Sequence, residues 1–194
     1  SAVTERPPLL RHLPRRVAHV LLAVVLLAEF VCAAALLANP EVASPATAVA
    51  GRSVRLIDET GGAADPLPSR VRSGMGDAIG AVQRFWGPDW TDEIVVVVTG
   101  SPAQFAAEAG LDPARRWDDI AAVAVADAVD LTARRASGQR IVLAPGAAAM
   151  SDSALQIVLT HELFHLAARA DTAVDAPRWL TEGVADFVAR PPTP

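Results

Sequence analysis

Residues 153–169 read SALQIVLTHELFHLAAR, and this stretch decides how the rest of the chain is interpreted. Apolar residues surround the motif His161-Glu162-Leu163-Phe164-His165, which predicts a helix that is largely buried. Two histidines four residues apart lie on one face of a helix, so their ring nitrogens can reach one metal ion at about 2.0–2.1 Å. Glu162 lies about 100° round the helix from His161, where a base can take a proton from a water beside such an ion.

A metal site of this kind needs a third protein ligand. The chain has no histidine after His165, and its single cysteine, Cys32, lies far upstream in an apolar segment. The third ligand is therefore expected to be a carboxylate. Glu182 lies far enough beyond His165 for a loop and an antiparallel helix to bring it back, and it is the preferred candidate. Asp171 and Asp175, in the intervening loop, compete for the same role.

The sequence WLTEGVADF at 179–187 predicts the helix that carries this third ligand. Asp186 lies one turn beyond Glu182 on the same face. A carboxylate there can accept the spare ring N–H of a ligand histidine and so fix its tautomer. Trp179 and Leu180 are interpreted as residues that anchor this helix in the core.

The two motifs His161-Glu162-x-x-His165 and Trp179-Leu180-x-Glu182-Gly183-x-Ala185 together resemble those of the gluzincin zinc metallopeptidases, in particular their peptidase MA-like branch. The resemblance is specific over residues 153–187 and extends, through the order of the predicted elements, over 51–190. It implies an α+β fold, the zincin-like N-terminal lobe. In that lobe a small mixed sheet packs on an active-site helix carrying the HExxH motif and on a following ligand helix.

The resemblance also implies roles for individual residues. It makes His161, His165 and Glu182 the ligands of Zn²⁺, Glu162 the general base, and Asp186 the partner of a ligand histidine. It further implies that Ile120–Asp127 is an edge strand along which an extended peptide can pair.

One feature departs from the family pattern. Such peptidases place a Tyr or His donor against the oxyanion, and this chain has no Tyr and no His after His165. The donor is expected from a second lobe beyond Pro194; the alternatives are that Arg178 or Arg190 supplies it, or that the activity is weak. We accordingly expect the chain to be a piece of a longer protein.

Periodicity predicts the remaining elements of the domain. Strands are predicted at 53–59, 94–99, 120–127 and 140–144, and helices at 69–86, 101–109, 153–169 and 178–189. The third helix is expected to begin at a capping box formed by Ser153 and Gln156.

The N-terminal region contains an apolar run at 17–38, VAHVLLAVVLLAEFVCAAALLA, which is long enough to cross a bilayer as a helix. Arg11, Arg15 and Arg16 precede it, so residues 1–16 are predicted to be a cytoplasmic tail and the chain after the run to lie outside the cytoplasm. A cleaved signal peptide, giving a secreted protein, and a buried core helix are the alternatives. Residues 39–50 are interpreted as a linker, and 51–194 as the metallopeptidase domain.

Composition narrows the classes of function. Of 194 residues, 52% are apolar and 20% charged, which excludes a disordered chain. The net charge is −5 and the arginines are scattered, which argues against nucleic acid as a partner. The leading prediction is a membrane-anchored zinc metallopeptidase that hydrolyses peptides or proteins with a zinc-activated water and Glu162 as base. The alternative is a non-catalytic, zinc-stabilised extracytoplasmic domain that binds a protein.

Overall fold

The computed structural model describes residues 45–62 and 65–190. Within them the chain has a mixed α/β fold, in which a five-stranded mixed sheet and a separate two-stranded hairpin accompany four α-helices. The strands are β1 (Ala46–Val49), β2 (Arg52–Glu59), β3 (Glu93–Thr99), β4 (Ala122–Val125), β5 (Ala128–Asp130), β6 (Arg135–Ser137) and β7 (Arg140–Leu143). The helices are α1 (Leu67–Trp86), α2 (Pro102–Glu108), α3 (Asp152–Ala168) and α4 (Arg178–Ala189), with short 3-10 turns at Pro145–Ala149 and Arg169–Asp171.

The five-stranded sheet has the order β1-β2-β3-β7-β4. Strands β2, β3 and β7 are parallel to one another, whereas β1 and β4 are antiparallel to their neighbours and form the two edges. Residues Ile94–Thr99 of the central strand are all buried. A continuous β-branched run is what a strand covered on both faces requires, because both sets of alternating side chains then enter a core.

Two apolar cores lie on the two faces of this sheet. Ile94, Val96 and Val98 of β3 point into the larger core, which they share with α1 and α3. Val95 and Val97 point into the smaller core, where Phe105 of α2 packs. The sheet thus separates α2 from the two long helices, and α3 lies on the side of the larger core.

Helices α1 and α3 approach each other closely. At Gly74 an added Cβ would lie 2.8 Å from Oε1 of Gln156 and 3.2 Å from Cδ1 of Leu159, so a larger residue there would require these side chains to move. Helix α3 begins at Asp152 with Ser151 as its N-cap, whose Oγ accepts a hydrogen bond from the Ala154 amide at 3.2 Å. The predicted capping box at Ser153 is therefore wrong by two residues: Ser151 is in an extended conformation and caps first.

The predicted mixed sheet packed against helices is confirmed, and each predicted strand and helix after residue 52 has a counterpart with bounds shifted by at most two residues. Two elements differ from the prediction. Residues 46–49, placed in a linker, form the edge strand β1, because they pair in register with 52–55 across a tight turn. The hairpin of β5 and β6 was not predicted, because its strands are short and exposed.

The predicted tail at 1–16, the apolar run at 17–38 and most of the predicted linker lie outside the described residues. Within 45–62 and 65–190, none of the helices combines the length and the apolar character that crossing a membrane requires.

Candidate metal centre

His161 and His165 of α3 lie one turn apart on the same face of the helix, and both side chains are half-buried. Their Nε2 atoms are 3.0 Å apart. Apolar side chains on the other faces of α3, among them Leu159, Leu163 and Leu166, are buried in the larger core. Packing of the helix therefore fixes the direction in which the two imidazoles point.

Glu182 reaches the same point from α4. Its Oε2 lies 3.2 Å from Nε2 of His161 and 3.6 Å from Nε2 of His165. Ligand atoms in a tetrahedral zinc site with bonds of about 2.0–2.1 Å lie about 3.3–3.4 Å from one another. The three distances of 3.0, 3.2 and 3.6 Å bracket that value, so the two imidazoles and the carboxylate could hold a metal ion.

Asp186, also on α4, lies on the far side of the His161 ring. Its Oδ1 is 3.0 Å from Nδ1 of His161. A carboxylate can only accept, so Nδ1 carries the proton. In the neutral ring, Nε2 then presents its lone pair toward Glu182 and His165, as a metal ligand must.

In a second protonation state the contact between His161 and Glu182 is itself a hydrogen bond, which the neutral ring with its proton on Nδ1 cannot make. An imidazolium at His161 can donate to Asp186 through Nδ1 and to Glu182 through Nε2. That state explains the contacts of His161, but it does not explain why His165 also lies beside Glu182. Burial lowers the pKa of His165, and the neighbouring His161 adds to this effect, so the neutral form of His165 is favoured.

Glu162, next to His161 in the chain, contacts the edge strand β4. It is 9% exposed, and its Oε2 accepts a hydrogen bond from the Ala124 amide at 2.7 Å. Burial raises the pKa of Glu162 to about 7, against the lowering effects of His161 and of the Ala124 amide. A carboxyl group with such a pKa exchanges its proton near neutral pH, and a cation bound beside it would draw the pKa down again.

The competing ligand candidates are not part of the cluster. Asp171 accepts a hydrogen bond from Nε of Arg134, in the hairpin, at 2.6 Å. Asp175 is exposed and does not belong to the one group of described residues whose ligand atoms converge. Of the two arginines proposed as oxyanion donors, Arg178 lies beside the cluster, with Nε 3.8 Å from Oε1 of Glu182. Arg190 instead lines a groove between α1, α3 and α4.

The interpretation of Trp179 and Leu180 as core anchors is wrong. Trp179 is 76% exposed and Leu180 is 44% exposed. Helix α4 packs through its small residues Ala185 and Ala189, and therefore its large apolar side chains remain at the surface.

Sequence reasoning missed two participants in the site. Arg169 follows His165 by one turn, and its Nη2 donates to the Ala124 carbonyl at 2.7 Å. The spacing His161, His165, Arg169 was a signal for a shared helix face. Ala124 takes part only through its backbone, which no side-chain pattern can reveal.

Comparison of the chain with protein-family models, with curated proteins and with solved structures found no match.

Proposed function

We propose that this chain is a zinc-dependent metallopeptidase of the gluzincin type, with a zincin-like catalytic domain that hydrolyses peptide bonds. The observation that carries the proposal is the convergence of His161, His165 and Glu182 at distances suited to zinc, with Glu162 on the same helix.

In this proposal each residue has a defined task. Nε2 of His161, Nε2 of His165 and an oxygen of Glu182 hold Zn²⁺, and Asp186 keeps the proton of His161 on Nδ1. Zinc supplies Lewis acidity, which lowers the pKa of a water and polarises a carbonyl. Glu162 accepts the proton of the attacking water on its carboxylate and returns it to the leaving amine.

The donor that stabilises the oxyanion is assigned to Arg178, unless a second lobe supplies it. Its side chain is 91% exposed and starts one turn before Glu182, so the guanidinium can turn toward a substrate at the cluster. Loss of one oxyanion donor typically costs about 10²–10³ in rate.

The proposal also includes a location. Residues 17–38 would anchor the chain in a membrane, with residues 1–16 in the cytoplasm and the catalytic domain outside, or would be removed as a signal peptide. Its support is the composition of that segment and the arginines before it.

A second candidate function is a zinc-stabilised domain that binds a protein without catalysis. The exposed apolar side chains of α4 favour it, since Trp179 and Phe187 are 76% and 69% exposed. Exposed aromatic residues are common where a partner binds.

Elemental mass spectrometry on the purified full chain tests the metal site first. We expect one zinc per chain in the wild type and in Asp175→Ala, the matched control, and loss of zinc in Glu182→Ala. A folded wild type without metal would reject both candidate functions.

Peptide hydrolysis then separates the two functions. Digestion of a peptide library, read by mass spectrometry, should show cleavage by the wild type and not by Glu162→Gln. A zinc-loaded wild type that cleaves nothing would favour the binding domain.

A further inference from the structure

Both polar backbone groups of Ala124 are bound by side chains, one from α3 and the other from Arg169, the residue that caps the C-terminus of that helix. The Ala124 amide donates to Oε2 of Glu162, and the Ala124 carbonyl accepts from Nη2 of Arg169, each at 2.7 Å. Ala124 is opposite Ile141 in the antiparallel pair of β4 and β7. The hydrogen bond from the Ala144 amide to the Ala121 carbonyl fixes the alternation, so both groups of Ala124 point away from β7.

The spacing of Glu162 in α3 and Arg169 at its C-cap matches this single residue. Positions 162 and 169 are two turns apart, within about 20° of the same helix face. Side chains of a helix lean toward its N-terminus, so the long Arg169 side chain reaches back toward the level of Glu162. Ala124 of the edge strand is thus hydrogen-bonded through both its amide and its carbonyl, by Glu162 and Arg169. We call this pair of hydrogen bonds the grip on Ala124.

Arg169 makes few other contacts that would explain its position. Its side chain is half-buried, and its Nε is buried without a hydrogen-bond partner among the described residues. A guanidinium taken from water and left partly unsatisfied adds little to stability. We therefore interpret the contact of Arg169 with Ala124 as one that orders this part of the site rather than one that stabilises the fold.

We propose that Arg169 is a positioning residue that acts through Ala124 on Glu162. By binding the carbonyl, Arg169 holds β4 against α3, so the Ala124 amide stays on Oε2 of Glu162 and fixes the orientation of this carboxylate. The same contact closes Ala124 to main-chain pairing by a bound peptide. The two hydrogen bonds to Ala124 do not depend on the proposed function, whereas their effect on catalysis rests on it.

Hydrogen–deuterium exchange on the full chain tests the grip without any activity measurement. In Arg169→Met, which replaces the guanidinium with an apolar side chain, the Ala124 amide should exchange about tenfold faster or more. Arg169→Lys should restore most of the protection, because an ammonium can still reach a carbonyl.

Arg70→Met is the matched control. Arg70 also donates to main-chain carbonyls, those of Ala148 and Met150 at 3.0 and 2.6 Å, and it lies between α1 and α3 away from Ala124. It should leave exchange at Ala124 unchanged. Unchanged exchange at Ala124 in a folded Arg169→Met would overturn the proposal.

Kinetics then test the positioning role. Arg169→Met should lower kcat about 10- to 100-fold with zinc content and KM little changed, and Arg169→Lys should recover part of the loss. A lower KM with unchanged kcat would show that Arg169 only blocks the strand, which also overturns the proposal. If the wild type neither binds zinc nor cleaves peptides, the proposed function fails, while the exchange result still decides the grip.

Discussion

Helices α3 and α4 each carry half of the candidate metal centre, and they differ in how they are held. Helix α3 is embedded in the larger core, and Leu159 and Leu163 have no exposed surface. Helix α4 lies at the periphery, where only Ala185 and Ala189 are buried. The two histidines belong to the embedded helix and the two carboxylates to the peripheral one.

This difference shows that the two halves of the site are positioned by different forces. Packing sets the direction of His161 and His165. The carboxylates of Glu182 and Asp186 come from a helix with only two buried residues, and they contact His161 at 3.2 and 3.0 Å. We therefore expect the contacts of Glu182 and Asp186 with His161 to help keep α4 in place against α3.

The largest expected effect separates the base on α3 from the ligands. Glu162→Gln should lower kcat for peptide hydrolysis about 10²–10⁴-fold, because a positioned general base contributes that much. Zinc content should stay at the wild-type level, since Glu162 is outside the ligand set. Loss of zinc in this variant, measured by elemental mass spectrometry, would contradict the assignment of Glu162.

The next effect compares the stability that α3 and α4 contribute, by making the same Leu→Ala substitution in each helix. Leu163→Ala in α3 should lower the free energy of unfolding by about 2–5 kcal/mol, because it removes a fully buried side chain. Leu180→Ala in α4 should lower it by less than about 1 kcal/mol, because that side chain is 44% exposed. Urea denaturation measures both, and equal losses would refute the contrast between the helices.

A pH-dependent effect follows from the burial of Glu162. Its pKa is about 7 in the folded chain and 4.5 ordinarily, so the folded state binds more protons between these values. Stability from the neutral carboxyl is complete below about pH 4.5 and is lost as the pH rises to about 7, by about 3 kcal/mol at 1.36 kcal/mol per pKa unit.

Denaturation in EDTA at several pH values measures this effect. His165 acts in the opposite direction, because its lowered pKa makes its stabilisation disappear as the pH falls. The difference in unfolding free energy between Glu162→Gln and wild type isolates Glu162 and should grow from pH 4.5 to pH 7. A difference that does not change with pH would argue against a raised pKa.

The smallest expected effect tests the link between the site and α4. Asp186→Ala should weaken zinc binding about 10- to 100-fold, since it removes the partner that orients His161. Hydrogen exchange in α4 should rise more than in α3, because the lost contact joins α4 to the core. Asp175→Ala, also an exposed acid near α4, serves as the control and should change neither quantity.

Much of the architecture follows from local patterns. The β-branched run at 94–99 predicts a strand covered on both faces, and the structure buries it on both. The spacing of His161 and His165 predicts a shared face because helix geometry alone sets it. Strand β1 and the hairpin escaped prediction, because their few exposed residues carry little hydrophobic pattern.

The sequence by itself determined the spacing of the residue types along each helix. From that spacing it predicted that two imidazoles share one helix face and that carboxylates lie near them. Only the tertiary structure decided that Asp171 pairs with Arg134, that Trp179 is at the surface, and that Arg169 and Glu162 grip one residue of the edge strand. The physical reason is the separation along the sequence over which each kind of interaction acts. Helix periodicity acts within a few residues, whereas the contacts of Ala124 join backbone groups to side chains about forty positions away, and only packing of β4 on α3 brings them together.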